Sequence, residues 1–110
     1  MSTGEDEKAL KYLEKIKNWQ SNPIYCFAGA RFHANLGQFK EAVNLVHSLP
    51  NWKNEKKSVT CLSYIYNKAS NIEGELRVYE HATKNWPHDR LFHLNYAQLL
   101  EHVERYNEAL

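Results

Sequence analysis

The stretch Leu36-Gly37-Gln38-Phe39-Lys40-Glu41-Ala42-Val43-Asn44-Leu45-Val46-His47-Ser48-Leu49-Pro50-Asn51-Trp52 decides the fold. Gly37 is a helix-ending residue, and Ala42, Val46 and Leu49 fall at i, i+4 and i+7, the stripe of one buried helix face. Pro50 then stops the helix. Asn-Trp closes the stretch, and this dipeptide stands at 18–19, 51–52 and 85–86, accounting for all the tryptophans at spacings of 33 and 34.

The register holds at independent positions. Upstream of each Asn-Trp lies one stripe: Ala9/Leu13/Ile16, Ala42/Val46/Leu49 and Glu75/Tyr79/Ala82. A fourth begins at Ala109, and Phe39, Ile72 and Tyr106 stand three residues before the later anchors. Apolar segments at 24–36, 59–69 and 91–103 fill the intervals, each long enough for three to four helical turns. Ser21-Asn22-Pro23 offers a cap followed by proline at a first helical position, and Pro87-His88-Asp89 separates the last pair. The expected helices are 5–18, 23–36, 38–49, 56–69, 71–86 and 89–103, with a further helix opening at Arg105. The predicted fold is all-α: a single domain over 1–110 built as an α-solenoid of antiparallel helix pairs with 33–34-residue repeats. It has about six helices, with repeats at 23–55 and 56–88 and half-repeats at both ends.

The 110 residues, 43% hydrophobic and 13% aromatic, imply a packed core. A net charge of +1 gives no general drive toward nucleic acid or anionic membranes. The acidic start Met1-Ser2-Thr3-Gly4-Glu5-Asp6-Glu7 is unlike a secretory signal, and no apolar run is long enough to span a bilayer. A protein of the reducing cytosol or nucleus is expected.

Leu36-Gly37-Gln38-Phe39-Lys40-Glu41-Ala42 resembles the turn between the two helices of a tetratricopeptide (TPR) repeat, and Tyr106-Asn107-Glu108-Ala109 resembles its shorter form. Tyr79, Ala82 and Pro87 fall where that family places its second-helix aromatic, small residue and proline. The early aromatic of the first helix is replaced by Cys26, Val59 and His93. Glu75 stands where Ala is usual, which puts the closeness of helix packing in the second repeat in question. Val78-Tyr79-Glu80-His81-Ala82 is similar to the related HAT repeats of RNA-processing scaffolds. The runs 58–66 and 77–86, with Leu36-Gly37, resemble the later repeats of the 72-kDa subunits of signal recognition particle. That resemblance implies a 68-kDa partner subunit, and RNA contact through a separate basic region that this sequence does not show.

The TPR resemblance implies a scaffold that holds a partner protein or peptide, and neither an enzyme nor a cofactor carrier. Its groove positions carry over to Arg31 and Asn35, to Tyr64 and Lys68, and to Asn95, Gln98 and His102. The family's carboxylate clamp for chaperone tails is not expected, because Phe27 and Arg31 occupy its Lys and Asn positions. The alternative is a ribonucleoprotein scaffold touching RNA through Lys53, Lys56 and Lys57, the densest basic cluster.

The six histidines include no H-x-x-x-H pair, and His88 and His93 point to different faces, so no metal is expected. Cys26 and Cys61 lie among apolar neighbours and read as core thiols. No phosphate-loop or nucleophile-elbow motif occurs. The first helix turns Lys8, Lys11, Glu14, Lys15 and Lys17 to solvent as a polar cap. The last one, carrying Tyr96, Leu99, Leu100 and Val103, is expected to need cover that only Tyr106, Ala109 and Leu110 could give. The chain is therefore expected to be a piece of a longer repeat protein whose last helix frays or pairs with another chain.

Overall fold

A computed structural model describes the backbone of residues 3–109 and the side chains of residues 4–105. Among the described residues every regular element is helical: α1 (Thr3–Glu14), α2 (Pro23–Asn35), α3 (Phe39–His47), α4 (Lys56–Lys68), α5 (Ile72–Asn85) and α6 (Arg90–Ala109). Short 3-10 turns, Trp19–Ser21 and Trp52–Asn54, precede α2 and α4. No helix among the described residues is long and apolar enough to cross a membrane.

The boundaries follow from local chemistry. Proline opens α2, and the Asn22 side chain accepts a hydrogen bond from the Ile24 N–H at 3.0 Å. Asn71 caps α5 through the Gly74 N–H at 3.0 Å, and Asp89 caps α6 through the N–H groups of Leu91 and Phe92. Such caps contribute about 1 kcal/mol each. The α2–α3 turn places Gly37 at φ +80°, with the Gln38 N–H on the His33 carbonyl at 2.8 Å. The α4–α5 turn repeats it 33 residues later. Ser70 takes φ +55°, and the Asn71 N–H reaches the Tyr66 carbonyl at 2.9 Å. Asn18 and Asn51, at φ 58° and 57°, begin the two 3-10 turns and are among the few residue types that tolerate this conformation.

The register expects another helix from Arg105, but α6 runs unbroken to Ala109. The position that answers to Gly37 and Ser70 is Glu104, a helix former, so nothing turns the chain there.

Each helix packs on its sequence neighbour, and α2 also packs on α4. The central core joins Ala30 and Ala34 of α2, Ala42 and Val46 of α3, and Cys61, Leu62 and Ile65 of α4. A second cluster joins Val59, Tyr79, Ala82 and Phe92, and a third joins Leu10, Leu13 and Trp19. The three stripes expected from spacing are buried or half-buried throughout, Glu75 included. The molecule measures 47 × 30 × 19 Å, and its radius of gyration of 15.1 Å exceeds the about 13 Å of a compact domain of this length.

Glu75 does not loosen its helix pair. Its neighbour Gly74 admits the Tyr66 ring so closely that a Cβ there would lie 2.7 Å from Tyr66 Cδ1. The α6 face expected to be bare is covered in part. Tyr96 and Leu99 pack against the second cluster, while Leu100 stays exposed together with Leu91 and Leu94. The proposed cover from Tyr106, Ala109 and Leu110 falls outside the described side chains.

Candidate functional site

The first helices of the two internal pairs, α2 and α4, lie side by side, and between them opens a cleft of about 420 Å³. Arg31 from α2 and Tyr64 from α4 both line it, two of the groove residues expected from spacing. Ile24 and Phe27 supply apolar wall on one side and Thr60 and Cys61 on the other. Lys56 and Lys57 stand at the start of α4, and among the described residues no carboxylate lines the cleft.

A chain of polar contacts holds this surface. The Tyr64 hydroxyl donates to Asn35 Oδ1 at 2.6 Å, and Asn35 Nδ2 donates to Asp6 Oδ1 at 3.2 Å. Lys68 Nζ lies 5.8 Å from the Tyr64 ring centre, a favourable cation–π placement. Asn35, Tyr64 and Lys68 are thus brought together, with Arg31 one helical turn from Asn35. Asp6 was not expected. It is buried on α1, where the register puts Phe39 and Ile72 in the later units, and a carboxylate in an apolar slot is the signal that marks it.

Asn35 and Lys68 touch Tyr64 without lining the cleft, and the remaining groove candidates, Asn95, Gln98 and His102, sit on α6 away from its lining. Asn95 is half-buried, while Gln98 and His102 are exposed. His102 bears on Glu75: burial pushes that carboxyl up from its ordinary value, while the Asn67 amide and the His102 ring pull it partly back.

The basic cluster is split, with Lys56 and Lys57 at the α2–α4 cleft and Lys53 elsewhere. Lys56 pairs with Asp89 at 3.0 Å, and its hydrogen bond is the first cause holding the Asp89 carboxyl below the usual range. Lys53 lies over the Trp52 ring, 5.6 Å from its centre, in a different cleft.

Two further clefts, of about 470 and 460 Å³, flank the helix pairs. The first is lined by Glu14, Trp19, Gln20, His33, Glu41, Asn44, Leu45 and Ser48. Adding 33 to each number gives His47, Trp52, Lys53, Tyr66, Gly74, Arg77, Val78 and His81, all of which line the second.

Both cysteines are buried. Cys26 Sγ donates to the Leu45 carbonyl at 3.2 Å. Burial raises both thiols, that of Cys61 to about 11, which is the behaviour of core residues. Four histidines have partners within the chain: His33 on Gln38, His47 stacked on Trp52, His81 on the Lys53 carbonyl and His93 on the Pro87 carbonyl.

Comparison with family models, with curated proteins and with solved structures gives no match.

Proposed function

We propose that this chain is a TPR-like interaction scaffold. Its helix pairs repeat every 33–34 residues and stack as a solenoid, and it binds a partner protein or peptide without transforming it. The observation that carries this reading is the α2–α4 cleft, which Arg31 and Tyr64 line from opposite walls at the 33-residue interval the register assigns to groove positions. The elongated shape and the two clefts related by the same interval support the repeat. Asn35, Tyr64 and Lys68 form the groove's polar spine, and Asn95, Gln98 and His102 extend it along α6. An RNA scaffold is the weaker reading, because Lys56 is already paired with Asp89 and Lys53 belongs to another cleft.

The test is a selection of peptides from a random display library on the folded chain, followed by anisotropy titration. Arg31→Ala and Tyr64→Ala are expected to weaken the selected peptides about tenfold or more, the usual effect of losing an Arg or Tyr at the centre of an interface. Far-UV circular dichroism should stay unchanged. Selected peptides that bind both variants as tightly as the parent chain would remove the α2–α4 cleft from the function.

A further inference from the structure

The two clefts related by 33 residues share a framework and nearly equal volume, so they differ in chemistry rather than in room. In the first, Trp19 packs against Gly29, where a Cβ would come within 2.5 Å of Trp19 Cζ3, and the residue is 8% exposed. At the position equivalent to Gly29 the second unit carries Leu62. A tryptophan in the Trp19 pose would collide with that side chain. Trp52 is accordingly half-buried and stacked on His47, with ring centres 4.3 Å apart and planes at 21°. It forms a wall of its cleft instead of sinking beneath it, facing a lining that includes Leu62, Tyr66 and Val78.

The rim changes sign. Glu14 gives way to His47, Gln20 to Lys53, Glu41 to Gly74 and Asn44 to Arg77, so two carboxylates are lost and two permanent cations are gained. Among the described residues no carboxylate lines the second cleft. Among the described residues Arg77 is engaged only by Glu73 one turn back, both side chains well exposed, and such a pair is readily exchanged for an incoming anion. The Lys53 backbone is fixed in place. Its carbonyl accepts from His81 Nε2 at 2.6 Å and from Asn85 Nδ2 at 3.3 Å, so the turn carrying Trp52 and Lys53 is organised before any ligand arrives. The volume falls within the roughly 300–1,000 Å³ of ligand pockets, which combine apolar walls with a few placed polar groups.

We propose that the Trp52 cleft is a second binding site, distinct from the α2–α4 cleft, for an acidic peptide segment of a partner protein that carries one aromatic or large aliphatic side chain. The apolar side chain enters between Trp52 and Tyr66, and the flanking carboxylates meet Lys53 and Arg77.

The probe is an end-blocked peptide with phenylalanine at its centre and two glutamates on either side, titrated into the full chain while the indole and amide N–H signals are followed by NMR. The Trp52 indole signal and the amides of Gly74 and Arg77 should move, while the Trp19 indole signal stays. A version with lysine flanks and one with alanine at the centre should leave them still. The Lys53→Glu/Arg77→Glu variant should bind about tenfold or more weakly, and added salt should weaken binding to the parent chain, which needs no variant. A Trp52 signal that stays fixed to the solubility limit would overturn the proposal. So would undiminished binding by the variant, or movement confined to residues of the α2–α4 cleft.

Discussion

Gly29→Ala tests whether the Trp19 ring is seated by the absence of a side chain. In an isolated helix the change would stabilise α2 by about 1 kcal/mol, the propensity difference between the two residues. In the folded chain the new Cβ would stand 2.5 Å from Trp19 Cζ3 and 3.1 Å from Leu13 Cδ2. Carbon atoms rest about 3.5–4.0 Å apart, so the ring must retreat by about 1 Å or more. Overpacking of this kind costs about 1–3 kcal/mol. Should the ring swing out as Trp52 does, re-exposing about 100 Å² of it costs about 2.5 kcal/mol at 25 cal/mol per Å². Net of the propensity gain, a loss of up to about 2 kcal/mol is expected, read as a lower urea midpoint at unchanged slope. The decisive comparison repeats the substitution in a Trp19→Ala background. With the ring gone the clash disappears, and Gly29→Ala should become neutral or stabilising by up to about 1 kcal/mol. An effect that agrees within about 0.5 kcal/mol in both backgrounds would refute the reasoning.

Ser70→Gly, at a left-handed turn position where Gly37 stands in the preceding unit, should raise stability by about 0.5–1 kcal/mol in the same urea assay. Glu75 has its folded-state pKa raised, chiefly by burial, so its favourable contribution is complete below the unfolded value of about 4.3 and is lost as pH rises through the folded one. Glu75→Gln should therefore stabilise the chain at pH 7, with the gain shrinking below about pH 4; thermal melts at the two pH values check this. With Cys61 at about 11 against about 8.5 for a free thiol, its thiolate fraction at pH 8 falls by about two orders of magnitude. A thiol reagent should accordingly label Cys61 slowly in the folded chain and fast in urea.

The helical frame was legible because it is written as spacing. Apolar stripes, caps and turn residues act over three or four positions, and all six helix starts fall within two residues of where those signals put them. The end of α6 was misread for an instructive reason. The apolar register predicts where a helix would pack, but only a residue that accepts the left-handed conformation lets the chain turn, and Glu104 is not one. Contacts across the fold were less visible. The Asp6–Asn35–Tyr64 chain joins residues 29 positions apart at each link, and nothing local to Asn35 or Tyr64 names its partner.

The same limit bears on the clefts. A repeat read as a pattern treats equivalent positions as interchangeable, and by that criterion Trp19 and Trp52 are the same residue in successive copies. Their surroundings show otherwise, since one glycine at 29 sinks the first ring and one leucine at 62 holds the second out as a wall. Three of the rim changes, at His47, Lys53 and Arg77, fall on exposed positions and alter the cleft's charge without disturbing the helices that form it, while Gly74 also makes room for the Tyr66 ring. On the proposed scaffold reading, recognition would be set by departures from the repeat rather than by the repeat itself. Those departures concentrate around Trp52, Lys53, Leu62, Gly74 and Arg77, which is why the proposed ligand is an acidic segment with an apolar side chain.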